Sequence, residues 1–237
     1  LTSLKRIFEH SRDMEIALDA DSQRRLLDYL RGSDSAEQGV FCLGLPQIAA
    51  GSPGMVPQIS GMSAGGREEL RVCLLLALGR ARLSDPEFSK LLSQLYDKSL
   101  TVQITVLNAL GMQSDRKDRI AGAFLKLLKS RHGQKDVAST HTIVDAIAKA
   151  LLKLEVDTSA FVPFFVQYLG MQMPEGEAYS SESELPLVRA LSRAGKSKVS
   201  YLFKALKSED GVIRRRAVSV LGEIHEPDER VCTALAE

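Results

Sequence analysis

The sequence contains no tryptophan, and aromatic residues make up only 5% of its 237 positions. A core must therefore be filled by Leu, Val, Ile and Ala, for which the 44% of hydrophobic residues are enough. No apolar run approaches the ~18 to 20 residues of a membrane-spanning helix, and the first residues do not resemble a signal peptide. These absences predict a soluble chain without a membrane span.

Cysteine is also scarce, with three residues at Cys42, Cys73 and Cys232. Three scattered cysteines do not form a disulfide framework, so we expect buried structural thiols and a reducing, cytoplasmic location. A reactive thiol is the alternative interpretation. Because the chain opens on Leu1 without a Met, we also expect that an upstream segment was removed or lies outside this sequence.

Motifs that would carry chemistry are missing as well. The sequence has no glycine loop for phosphate, no zinc-binding spacing and no nucleophile elbow, so it predicts no catalytic residue, no metal and no cofactor. His141 lies four residues before Asp145 in a predicted helix, and we interpret that pair as a solvated surface contact. The net charge of only +1 disfavours nucleic acid as a partner.

What the sequence does contain is a ten-residue block that recurs six times. Its clearest copies end at Gly79, Gly111 and Gly222, and weaker copies end at Gly44, Ala148 and Ser192. The six end positions, which we call anchors, are separated by 35, 32, 37, 44 and 30 residues. Self-similarity at such a spacing is typical of solenoids, in which each unit buries its apolar face against its neighbours.

The block has the periodicity of a helix with one buried stripe. Positions one and four before the anchor are branched and apolar in all six copies. These positions are Leu43, Leu78, Leu110, Ile147, Leu191 and Leu221, and Val40, Leu75, Leu107, Val144, Val188 and Val218. An apolar helix precedes each block, with short polar turns such as Asp97-Lys98-Ser99 between the two helices. The first helix over residues 52–62 is expected to be short, since prolines and glycines interrupt it.

The final block, from Ile213 to Ile224 with Asp210 in the turn before it, resembles a HEAT repeat of the short bacterial type. That resemblance covers residues 22–237 and implies an all-α, right-handed α-solenoid of about six to seven stacked helical hairpins. The units are 22–50, 51–83, 84–114, 115–155, 156–196 and 197–228, with the start of a seventh at 229–237, and residues 1–21 are expected to form capping helices. The Arg expected second in the block is present at Arg71 and Arg214 but replaced in other copies.

Positions seven and three before the anchor, and one after it, point away from the stripe because a two-residue offset turns a helix by about 200°. They predict a concave partner-binding surface that is mostly apolar in the first three units and charged in the last three. The residues assigned to it are Phe41, Leu45, Val72, Leu76, Arg80, Ile104, Asn108, Met112, Lys149, Arg189 and Arg193. The alternative is that the N-terminal segment or tighter curvature covers the apolar positions.

Two further features of the sequence carry predictions. Basic residues cluster in 116–135 and 196–216 and could follow phosphates, although interleaved acidic residues favour a solvated helical face. The polar, acidic stretch 170–184 lengthens one interval and predicts a mobile insertion, which is either functional or disordered.

The sequence thus predicts a non-enzymatic scaffold that binds a helix or peptide of a protein partner. The alternative function is an accessory enzyme or nucleic-acid-binding HEAT-like protein that uses the C-terminal basic face. His225-Glu226 resembles one motif of the HEAT-repeat deoxyhypusine hydroxylases, but those enzymes need several, so no metal site is carried over. An uncapped C-terminal end further predicts an end-to-end or larger assembly contact.

Overall fold

The computed structural model describes residues 15–32, 35–131, 137–170, 181, 184–194, 199–224, 229 and 233, with the backbone alone for 35–41 and 137. Within these ranges the chain is all-helical and has no β-strand, which confirms the predicted all-α class. The α-helices are α1 Ala20–Gly32, α2 Ser35–Gly51, α3 Val56–Met62, α4 Glu68–Arg80, α5 Asp85–Ser93, α6 Leu100–Leu110, α7 Lys117–Arg131, α8 Val137–Leu154, α9 Val162–Phe165, α10 Pro186–Ser192, α11 Val199–Leu206 and α12 Gly211–Glu223.

These helices form two compact units, Leu1–Asp115 and Arg116–Glu237. In the first unit α2 packs on α4 and α4 on α6, while α3 packs against α4 and α5 packs against α6. In the second unit α8 packs on α10 and α10 on α12. The helices that carry the repeated block therefore lie side by side within each unit.

The predicted buried stripe is present in the central helices. In α4, α6, α8 and α10, the positions one, two, four and five before the anchor are all buried. The terminal helix α12 departs from this pattern at one position, because Val218 is 45% exposed although Ala217, Val220 and Leu221 are buried. The periodicity of the block thus identified the core side of these helices correctly, with one exception.

The first copy of the block is out of register. Leu43, predicted to be buried, is 43% exposed, whereas Leu45, predicted to face a partner, is fully buried. From Gly44 onwards, the buried positions of α2 match those of α4 when Ala49, five residues beyond Gly44, is taken as the anchor, whereas Leu43 is exposed where α4 has the buried Cys73. The sequence Leu43-Gly44 imitates Leu78-Gly79, and this similarity misplaced the anchor.

The chain before α1 is joined to the C-terminal end of α2. The amide of Ile16 donates to the carbonyl of Gln47 at 3.0 Å, and the amide of Leu18 donates to Ser52 Oγ at 2.9 Å. A Cβ on Gly51 would lie 2.6 Å from the carbonyl carbon of Ile16, so this close approach requires glycine. The predicted capping helices at 1–21 fall largely outside the described residues, and residues 15–19 precede α1 without helix.

Short turns separate the helices at the positions where cap residues in the sequence predicted turns. Ser99 Oγ accepts from the amide of Val102 at 3.3 Å, and Asp210 Oδ1 accepts from the amide of Val212 at 2.7 Å. The helix expected to be short is the seven-residue α3, which follows a 3₁₀ turn at Pro53–Met55. Most of the predicted insertion at 170–184 lies outside the described residues.

Candidate protein-binding site

The outward positions of α4 and α6 form the apolar part of the candidate site in the first unit. Leu76 is 37% exposed, Val72 and Ile104 are half-buried, and Arg80 and Asn108 are exposed. These residues therefore lie on the side of their helices that the sequence predicted. Leu45 does not join them, because it belongs to the core, and the side chain of Phe41 lies outside the described part of the chain.

Close packing of α4 against α6 brings Met112 beside this surface. A Cβ on Gly79 would lie 2.9 Å from Ala109 Cα and 3.2 Å from Met112 Sδ. Since Leu76 precedes Gly79 by three residues, the two share one side of α4. The half-buried Met112 side chain thus lies within one helical turn of the exposed Leu76. We call the exposed and half-buried apolar residues of these neighbouring segments the apolar face: Leu43, Val72, Leu76, Ile104 and Met112.

A disulfide between Cys42 and Cys73 joins α2 to α4, with 5.0 Å between the Cα atoms. This bond contradicts the expectation of buried thiols, since two of the three cysteines are covalently paired. It also removes the observation on which the cytoplasmic location depended, because disulfides persist mainly in oxidising compartments. Cys232, the third cysteine, lies outside the described residues.

The disulfide lies next to the apolar face. Leu43 follows Cys42 directly, and Leu76 lies three residues after Cys73 on α4. The false anchor at Gly44 assigned Leu43 to the core, and the corrected register does not recover it, because it aligns Leu43 with the buried Cys73. A comparison of Leu45, Ile48 and Ala49 with the block in α4 reveals that register, which places Leu45 in the core.

A buried polar network fixes the turns beneath these helices. Arg71, only 8% exposed, donates from Nε to the carbonyl of Ser63 at 3.0 Å and from both terminal nitrogens to the carboxylate of Asp97. Gln94 Nε2 donates to Ser63 Oγ at 3.1 Å, and Gln103 donates to the carbonyl of Asp97. Gln103 occupies in α6 the block position that Arg71 occupies in α4. Its hydrogen bond to Asp97 keeps this position in the network although the arginine is replaced.

The charge of Asp97 is stabilised by this network. The hydrogen bond from Arg71 lowers the pKa of the Asp97 carboxyl, against the opposing effect of burial, and the amide of Ser99 lowers it further. The network thus holds the Asp97 carboxylate and the Arg71 guanidinium between the turns before α4 and α6. The arrangement is structural, because the pair lies among backbone carbonyls and not on the apolar face.

The C-terminal end of α4 is capped by the next hairpin. Gln113 Nε2 donates to the carbonyls of Leu78, Gly79 and Ala81 at 3.1, 2.8 and 3.0 Å. These carbonyls include ones that an α-helix leaves without intrahelical donors. The cap holds the end of α4, where Arg80 is exposed, in a fixed position relative to α6.

In the second unit the predicted surface is basic. Arg189 is exposed on α10 and Arg193 is exposed directly after that helix, where it donates to the carbonyl of Leu152 near the end of α8 at 3.0 Å. Lys149 is half-buried and pairs with Asp145 at 2.8 Å. Two other residues at the outward offsets are buried instead: Asp145, three residues before its anchor, and Leu185, seven residues before its anchor.

His141 is half-buried, and its ring meets that of Tyr168 edge-on with 5.9 Å between the centroids. Burial lowers the pKa of its imidazole, which favours the neutral form. Asp145, the predicted partner of His141, is buried and pairs with Lys149. The expectation of a solvated surface contact is therefore wrong for both residues.

The basic clusters divide between surface and interior. Lys117, Arg119, Lys126 and Lys129 are exposed on α7, as are Lys204, Arg214 and Arg215 in α11 and α12. Arg216, however, is 5% exposed and donates to the carbonyl of Leu169 at 2.7 Å, so it belongs to the core of its unit.

Within the described residues, no three His, Cys, Asp or Glu side chains come together in a way that could hold a metal ion. In the same part of the chain, none of the helices has the length and apolar character needed to cross a bilayer.

No family model matches the chain, and no curated protein matches it. Among solved structures, the crystal structure of an engineered protein is similar to it, with 18% identical residues and a TM-score of 0.45. That alignment covers 86% of this chain and 96% of the engineered one. At this level of similarity, the match supports no inference about function.

Proposed function

We propose that each unit is a short right-handed stack of HEAT-type helical hairpins and that the chain is a non-enzymatic interaction scaffold. Its first unit binds an amphipathic helix or peptide of a protein partner on the apolar face. The observation that carries this proposal is the exposure of Leu43 and Leu76, 43% and 37%, on neighbouring helices whose other described apolar residues are mostly buried. Contiguous exposed apolar patches commonly mark protein interaction sites.

The surroundings of the apolar face support a rigid site. The disulfide joins α2 to α4, the close approach at Gly79 joins α4 to α6, and Gln113 caps the end of α4. A surface whose helices are already fixed loses little conformational entropy on binding, which favours affinity. The network around Arg71 holds the turns of the same helices in place.

The shape and chemistry of the face favour a helical partner with apolar residues one turn apart. Val72 and Leu76 are four residues apart on α4, and Ile104 on α6 and Met112 in the turn after α6 extend the surface. Such a face accepts side chains at i, i+3 and i+4 of a partner helix. Exposed Arg80 lies four residues after Leu76 on the same side of α4, so an acidic residue of the partner is expected near it.

The experiment that tests this function is capture with a matched pair of surface variants. Leu76→Glu places a charge at the centre of the face, whereas Tyr96→Glu places the same charge at another exposed apolar residue of the unit, 53% exposed. We expect a partner captured by the wild-type chain to be lost by Leu76→Glu and retained by Tyr96→Glu. Equal retention by the two variants contradicts the proposal.

The dependence of binding on salt separates this function from the nucleic-acid alternative. Contacts with phosphates weaken steeply as salt is added, whereas apolar contacts do not. Binding that falls by orders of magnitude between about 50 and 200 mM salt, and that is lost in Arg214→Glu with Arg215→Glu, would support the basic face instead.

A further inference from the structure

The helix that carries Leu43 is interrupted close to the disulfide. Pro46 lies inside α2, and because proline has no N–H, the α-helical hydrogen bond to the carbonyl of Cys42 cannot form. The backbone ladder of α2 is thus broken at the turn that begins with the half-cystine. The part of α2 before Pro46 is therefore less firmly joined to the part after it than in an uninterrupted helix.

The two parts of α2 are held by different contacts. Beyond Pro46, Ile48 and Ala49 are buried, and the amide of Ile16 donates to the carbonyl of Gln47. Before Pro46, Gly44 and Leu45 are buried as well, and one turn before Pro46 the half-cystine Cys42 is bonded to Cys73, which is 1% exposed within α4. Packing and hydrogen bonds thus hold α2 from Gly44 onwards, while the covalent bond joins the turn at Cys42 to α4.

We propose that the Cys42–Cys73 disulfide is a redox-sensitive clamp that regulates the apolar face, an inference that rests on the proposed function. When oxidised, the clamp holds the turn that carries Leu43 against α4. When reduced, the part of α2 before Gly44 opens at the turn that lacks the Pro46 hydrogen bond, and Leu43 changes its position relative to Leu76.

The reductant is a low-molecular-weight thiol such as glutathione. Its thiolate attacks Sγ of Cys42, which is half-buried and thus more accessible than Cys73, and the S–S bond breaks. Cys73 leaves as a thiolate and takes a proton from water, and a second glutathione then attacks the mixed disulfide to release the Cys42 thiol and oxidised glutathione. Two electrons pass from two glutathione molecules to the protein disulfide.

The first measurement follows amide hydrogen exchange of the full chain in oxidised or reduced glutathione at millimolar concentration, with alkylation and mass spectrometry to count free thiols. We expect reduction to raise the exchange rate of residues 35–42 at least about tenfold and to leave α6 unchanged, as local opening requires. The variant Cys42→Ser with Cys73→Ser should show the same pattern without reductant, and Cys232→Ser should behave as wild type.

Three outcomes of this measurement overturn the clamp. The disulfide could resist reduction by glutathione, or the amide exchange of residues 35–42 could stay unchanged after reduction. In the third outcome α6 opens to the same extent as residues 35–42, which would mean that the disulfide stabilises the whole unit. A protein captured on the oxidised chain should be eluted by reduced glutathione, and its retention while 35–42 opens contradicts regulation of the face. Hydrogen exchange needs no partner, so a failure of the proposed function leaves the test of the clamp intact.

Discussion

Replacing Arg71 by Met tests whether the polar network supports the stacked helices of the first unit. Methionine keeps much of the apolar stem of the side chain and removes the guanidinium, which bonds to the carbonyl of Ser63 and to the carboxylate of Asp97. The side chains of Arg71 and Asp97 are 9% and 16% exposed, so solvent can replace these bonds only in part. Breaking a buried ion pair from one side costs about 3 to 5 kcal/mol, and we expect a loss in that range.

The repeat supplies its own control. Arg214 occupies the same position of its block, but it is exposed and donates to the carbonyls of Ser208 and Glu209 at 2.7 and 2.8 Å. Because water can satisfy these carbonyls, Arg214→Met should cost under about 1 kcal/mol. Arg71→Lys, which keeps the charge but not the fork of donors, should fall between the two.

The assay is urea unfolding followed by far-ultraviolet circular dichroism, with hydrogen exchange of α6 to assign the transition to the first unit. If Arg71→Met and Arg214→Met cost the same within about 0.5 kcal/mol, the reasoning about burial is refuted. An unfolded Arg71→Met variant would agree with the expected loss only if Arg71→Lys folds with reduced stability.

Three further predictions concern single residues. Gly79→Ala should destabilise the chain by about 1 to 3 kcal/mol because the added Cβ meets the Ala109 backbone at 2.9 Å. Gly222→Ala should instead stabilise α12 by about 0.5 to 1 kcal/mol, since its Cβ meets nothing within 4 Å. Thermal unfolding measures both changes. Glu155, at φ 55° after the end of α8, should gain about 0.5 to 1 kcal/mol on replacement by Gly, and no gain in urea unfolding argues against strain there. The pKa of the Asp97 carboxyl is lowered in the folded state. The stability that this group contributes is therefore present above its usual pKa of 3.8 and disappears as pH falls through the folded value. Wild type should accordingly lose more stability than Arg71→Met when unfolding is measured at decreasing pH.

The all-helical class and the core side of most block helices followed from the sequence because the block repeats a helical period with branched residues at fixed offsets. In α4 and α6 that period also identified the outward residues Val72, Leu76 and Asn108 correctly. It failed in α2, where Leu43-Gly44 imitates the end of the block and the true anchor is an alanine. A local pattern cannot separate two such alignments, whereas burial against α4 does.

The disulfide and the buried charges were beyond the reach of pattern reasoning for a different reason. Bonding of Cys42 to Cys73 requires the two Cα atoms to approach within a few ångströms, and a sequence separation of 31 residues does not reveal that approach. Asp145 was assigned to the surface because it lies three residues before its anchor, opposite the buried stripe. Its pairing with Lys149 makes burial possible, and such a pair is recognised only when both residues and their surroundings are placed.

The role of the apolar face as a binding surface is tested most directly by the affinity of a captured partner for wild type, Leu76→Glu and Tyr96→Glu under oxidising conditions, measured by titration. We predict that Leu76→Glu weakens binding at least about tenfold, a loss of about 1.4 kcal/mol, while Tyr96→Glu binds as wild type. Equal affinities for the two variants, with both folded, would contradict the claim that the face of α2, α4 and α6 binds the partner.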